Sequence, residues 1–131
     1  MKFVKKMTTG MVAVAAIFSL AVTAFADTST TSAPGYGTLT GVLTSFSPYA
    51  YYTTTVSHNY DNAYLTIAGS AEDTNGQTII AKQQVNSIRG QSSFSANSIA
   101  LPSNTYVVYG THGVQGGSTY GASAVYTYTH I

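Results

Sequence analysis

Residues 63–71, AYLTIAGSA, alternate without a break. Ala63, Leu65, Ile67, Gly69 and Ala71 fall on one side, and Tyr64, Thr66, Ala68 and Ser70 on the other. A period of two sends successive side chains to opposite faces of an extended chain, so the stretch predicts a half-buried β-strand. Asp73-Thr74-Asn75-Gly76 follows at once. Asn-Gly favours a type I′ turn with both residues at positive φ. The following stretch, Gln77–Ile88, then reads as the returning arm of a hairpin, with Ile79, Ala81 and Val85 facing one way.

The same texture extends in both directions: Thr, Tyr, Val and Ile in short runs, broken by Gly, Asn and Pro. Such side chains suit a pleated, half-buried surface. Upstream, Tyr36–Phe46 places Leu39 and Leu43 on one face with Gly41 between them. Pro48 separates it from Tyr49–His58, and Asn59–Asn62 turns the chain. Downstream, Arg89-Gly90 leads into Gln91–Leu101, centred on Phe94, Ala96 and Ile99. Pro102-Ser103-Asn104 turns into Tyr106–Thr111, Gly113–Ser118 reads as a loop, and Thr119–Ile131 is the last strand. About seven short strands separated by turn residues, with no stripe at helical spacing, predict an all-β chain. The expected architecture is a small antiparallel β-sandwich, Ig-like or Greek-key.

The N-terminus has a different character. Lys2, Lys5 and Lys6 precede an apolar run, Met11–Val22, and Ala24-Phe25-Ala26 has the small-residue pattern of a signal-peptidase site. Residues 1–26 therefore read as a cleaved signal peptide. Asp27–Gly35 (DTSTTSAPG) lacks large apolar residues and reads as a flexible N-terminal segment ahead of a domain spanning residues 36–131. No second long apolar run follows, so no membrane span is expected in the exported form. None of the asparagines of the exported part begins an N-x-S/T sequence, which suits a bacterial secreted, extracellular protein.

Composition narrows the chemistry. The 131 residues contain no Cys, which excludes disulfides, thiolate nucleophiles and Cys-based metal sites together. The formal net charge of +1 belongs to the precursor. Without residues 1–26, Lys82 and Arg89 face Asp27, Asp61, Glu72 and Asp73, and the remainder is mildly acidic. Nucleic acid is therefore not an expected partner, since phosphate binding calls for a basic surface.

His58, His112 and His130 are the side chains that ordinarily titrate near neutrality, and imidazole is a common zinc ligand. They are the metal-ligating candidates, although no fixed ligand spacing joins them. His58 and Asp61 stand close enough in sequence to suggest part of a hydrolase triad, but no G-x-S-x-G elbow accompanies them. No cofactor motif is present. The Gly-rich segment from Gly110 to Gly117 lacks the Lys of a phosphate loop, and it is kept as a binding loop with His112 and Gln115.

Tyrosine is the remaining signal, with 11 in the chain and all of them beyond the signal peptide. On the last strand Tyr120, Tyr126, Tyr128 and His130 share one face, and the expectation is that this face packs into the core. Tyr51 and Tyr52 are neighbours, so one of them must point out, where Tyr serves recognition at low entropic cost. Tyr51, Tyr52, His112 and Gln115 are thus the binding candidates.

The function these features suggest is non-enzymatic. The expected role is extracellular binding of a cell-wall, glycan or protein ligand, or self-association as a surface or matrix component. A small secreted antimicrobial or toxin-like protein is the alternative, and a small His-dependent enzyme the third.

Overall fold

A computed structural model describes residues 25–131, with side chains from Ala26 onward. The expected signal peptide lies outside the described residues except for Phe25 and Ala26. Eight strands are described: β1 Phe25–Ala33, β2 Gly37–Phe46, β3 Tyr49–Val56, β4 Tyr64–Glu72, β5 Thr78–Asn86, β6 Ser93–Asn97, β7 Val107–Gln115 and β8 Ser123–His130. They form two four-stranded sheets, a front sheet in the order β1-β2-β3-β6 and a back sheet in the order β5-β4-β7-β8. Every pairing is antiparallel. The all-β sandwich expected from the alternation is the fold, with one strand more than the sequence suggested.

The extra strand is a correction. Asp27–Ala33 is not a flexible lead-in but most of β1, paired along its length with β2 from Asp27↔Leu43 to Ala33↔Gly37. Small polar residues suffice because an edge strand gains backbone hydrogen bonds on one side and needs only short side chains facing inward. Pro34-Gly35 forms the tight turn to β2, with Gly35 at φ +89° and the Tyr36 N–H donating to the Ala33 carbonyl at 2.8 Å.

The β4–β5 hairpin exists, but its turn differs from type I′. Gly76 has φ +78°, whereas Asn75 does not enter the positive region. The Gly76 N–H donates to the Asp73 carbonyl at 3.1 Å and the Asp73 N–H to the Gln77 carbonyl at 3.0 Å, the pattern of a three-residue loop closed by a left-handed glycine. The Asp73 carboxylate accepts the N–H groups of Asn75 and Gln77, which accounts for an acid at that position.

Inward-facing side chains form two apolar clusters. Tyr36, Leu39, Val56, Leu65, Val114 and Val125 belong to one, and Leu43, Tyr52, Ile67, Ala71 and Val108 to the other. The two margins of the sandwich differ. On one side β1 and β2 lie against β8. On the other, β5 has little of the front sheet across from it, and its residues are half-buried or exposed.

Candidate functional site

Between the two apolar clusters lies a polar layer centred on His112, which is fully buried. β7 continues through Gln115, so His112 sits within the strand and points at the front sheet instead of opening a loop. Gly41 on β2 makes room for it: a Cβ there would stand 2.4 Å from the imidazole ring. The Thr54 hydroxyl donates to the Thr66 carbonyl at 2.9 Å, so its oxygen is left to accept from His112 Nδ1–H at 3.1 Å. His112 Nε2 then accepts the Thr127 hydroxyl at 2.8 Å. Both nitrogens are engaged and the ring is neutral. Burial lowers its pKa from 6.5 to about 4, against weaker raising effects of the Thr53 backbone and Asp27.

The other two histidines lie elsewhere. His58 stacks on Tyr60 with ring centroids 5.2 Å apart, and His130 meets the Tyr106 ring edge-on at 4.8 Å. Among the described residues, no three His, Asp or Glu side chains form a group able to hold a metal ion. The His58–Asp61 pairing is not made either. Asp61 accepts the Tyr36 hydroxyl at 2.8 Å and the N–H groups of Thr119 and Tyr120, both at 2.9 Å at their closest. The Tyr120 N–H, ahead of the Tyr36 and Thr119 bonds, holds the Asp61 carboxyl below its usual range despite opposing burial. Burial, reinforced by Asp61, pushes the Tyr36 hydroxyl up to about 12. This network ties the β3–β4 connection to the β7–β8 connection and serves architecture.

The four binding candidates do not converge. Tyr52 and His112 point between the sheets, whereas Tyr51 is on the outer face of the front sheet. Gln115 is on the outer face of the back sheet, where its side-chain amide donates to the Tyr64 hydroxyl at 2.9 Å. Arg89 spans the same corner, with its guanidinium 5.2 Å from the Tyr64 ring centroid and hydrogen-bonded to the carbonyls of Asn62 and Gly116.

The last strand is oriented opposite to expectation. Val125, Thr127 and Thr129 are buried, while Tyr126 and Tyr128 are 68% and 57% exposed. The Thr face is the inner one because Thr127 supplies the hydroxyl that His112 needs. Val125, the one branched apolar residue on the strand, marked that face in the sequence. The outward tyrosines continue onto β7, where Tyr109 lies opposite Tyr128 in register with ring centroids 6.4 Å apart. Tyr128 meets His130 edge-on at 6.2 Å, and the Tyr109 hydroxyl donates to Glu72 at 3.2 Å. Tyr106, Tyr109, Tyr126, Tyr128 and His130 thus make an aromatic surface over the β7–β8 half of the back sheet.

A second feature is a groove of about 370 Å3 at the open margin, lined by Tyr52, Ile67, Ile79, Val85 and Ile99 among others. Val85 and Ile99 are both exposed. No helix among the described residues is long and apolar enough to cross a membrane. No family model, curated protein or solved structure matches the chain.

Proposed function

We propose that the chain is a secreted, non-enzymatic β-sandwich that acts by binding at the cell exterior, through the tyrosine surface of the back sheet. The observation that supports this reading is the outward orientation of Tyr126 and Tyr128 beside Tyr109. Each ring presents a flat apolar area and a hydroxyl, a combination that stacks on sugars or apolar side chains while still hydrogen-bonding. Fixed on paired strands, the rings lose little conformational freedom on contact. Tyr109 and Glu72 add a bonded hydroxyl–carboxylate pair at one side of the surface. The fitting ligand is a cell-wall glycan or a protein surface.

The test is a binding assay of the exported protein on purified cell walls and on immobilised glycans. The double variant Tyr126→Ala/Tyr128→Ala is expected to bind at least about tenfold more weakly, as loss of two aromatic anchors implies. Absence of binding by the parent protein, or equal binding by the variant, would sink the proposal.

A further inference from the structure

The two sheets leave four strand edges, and they are not equally protected. β6 is only five residues long. β5 carries Lys82 and has register shifts against β4 near Gly69 and Ala71. β1 carries Asp27. Short length, charge and bulges are the usual means of keeping an edge from pairing with another chain. β8, Ser123–His130, has eight residues, regular pairing with β7, and no Pro, Lys, Arg, Asp or Glu.

Its free edge can be identified by parity. In an antiparallel pair, successive residues direct their backbone groups alternately toward the partner and away. The Tyr128 N–H donates to the Asp27 carboxylate at 2.9 Å instead of to β7, so it points away. Ala124 and Tyr126, at even spacing from it, direct their N–H groups the same way. β1 lies alongside, but its inward side chains at this margin are short: Asp27, Ser29 and Thr31.

We infer that two copies of this chain pair antiparallel along β8, joining their back sheets into one eight-stranded sheet, and that Asp27 is the latch over that edge. The occupant is a second copy because the strand suits itself. Identical uncharged strands bring no like charges together. Pairing Tyr126 of one copy with Tyr128 of the other places four tyrosines on the outer face, in the cross-strand arrangement that aromatic pairs favour. The tyrosine surfaces of the two copies then become continuous. In each copy the incoming carbonyl replaces Asp27 as acceptor for the Tyr128 N–H. The inference rests on the extracellular binding role only for its location, since the pairing uses backbone groups.

Sedimentation of the exported protein over a concentration series tests it. A reversible dimer is expected. Ala124→Pro removes an edge-facing N–H while leaving the bond pattern to β7 and every tyrosine intact, and proline is tolerated near the start of an edge strand. It should weaken the dimer at least about tenfold, as should Tyr126→Lys, which adds an exposed edge charge without touching the backbone. Asp27→Ala should tighten it about threefold or more, by freeing one donor per copy. A protein that stays monomeric with and without Asp27, or a dimer that survives both Ala124→Pro and Tyr126→Lys, overturns the pairing. A dimer no tighter in Asp27→Ala overturns the latch. Cell-wall binding is measured on Ala124→Pro in parallel. Binding that persists while the dimer is lost separates this pairing from the binding role, and a dimer without wall binding defeats only the latter.

Discussion

His112 on β7 and Thr127 on β8 meet in the interior with Nε2 and Oγ1 2.8 Å apart, and the hydroxyl is the donor. That direction follows from the other side of the ring, where Thr54 has already committed its hydrogen to the Thr66 carbonyl. A proton arriving on Nε2 would face another hydrogen, at a fully buried position. The folded chain therefore resists protonation until about pH 4, whereas the unfolded chain accepts the proton near pH 6.5. Between those values the unfolded state binds more protons, so stability falls as pH falls. The contribution is fully present above pH 6.5 and is lost by about pH 4, amounting to about 3 kcal/mol. Urea unfolding midpoints measured from pH 7 to pH 4 should show the decline, and His112→Leu should flatten it. A parent profile that is already flat over this range contradicts the neutral buried ring.

Gly41 and His112 face each other across the sheets, and the imidazole occupies the space a side chain at 41 would need. The φ of Gly41 is not in the left-handed region, so the constraint is steric and not conformational. Gly41→Ala should destabilise the fold by about 1–3 kcal/mol, the usual cost of overpacking. Gly76→Ala is the contrast. Its Cβ would meet nothing within 4 Å, and only the backbone strain at φ +78° opposes it. Chemical denaturation of the two variants should separate these causes, with the acid-dependent term altered in Gly41→Ala alone.

Asp61 contributes in a lower pH window than His112. Its carboxyl is held below the usual range by the Tyr120 and Thr119 N–H groups and the Tyr36 hydroxyl. The stability it adds is present above the ordinary carboxylate pKa and is lost as pH falls through the depressed one. Acid unfolding should thus proceed in two stages, a loss above pH 4 assigned to His112 and a further loss below it. Tyr36→Phe removes one donor from the network without changing ring packing and should cost about 1 kcal/mol. That cost should hold at every pH above the Asp61 pKa, leaving the upper stage unchanged in size, and should fade only through the lower stage as the carboxyl protonates, as read by urea unfolding midpoints across an acid titration.

The legible part of this fold was the part governed by apolar alternation. Leu39 and Leu43 on β2, and Leu65, Ile67 and Ala71 on β4, lie inward as their spacing indicates. Two features were hidden because polar residues do the packing. β1 carries no apolar pattern, since Asp27, Ser29 and Thr31 face inward as an edge strand allows. β8 alternates Tyr with Thr, and hydrophobicity alone sends Tyr inside. The one local sign of the inner face is Val125, and the pair that fixes it, Thr127 with His112, lies in no local window. The same reason scattered the binding candidates. Alternation requires that one of Tyr51 and Tyr52 point out but does not say which, and it is Tyr51 that reaches solvent.

The orientation of β8 can be tested by substituting its residues one at a time. Tyr126 and Tyr128 stand in solvent, so replacing either with Ser should change stability by no more than about 0.5 kcal/mol. Thr127, between them, is buried and donates to His112. Thr127→Val keeps the shape but leaves Nε2 without its donor, which should cost about 1–3 kcal/mol. The pattern should alternate along the strand, with neutral effects at 126 and 128 and losses at 125, 127 and 129. The surface variants should reduce ligand binding while the interior variants reduce stability. If the tyrosines proved the costly positions and Thr127 the neutral one, β8 would be turned over. The tyrosine surface and the edge pairing would then both lose their basis.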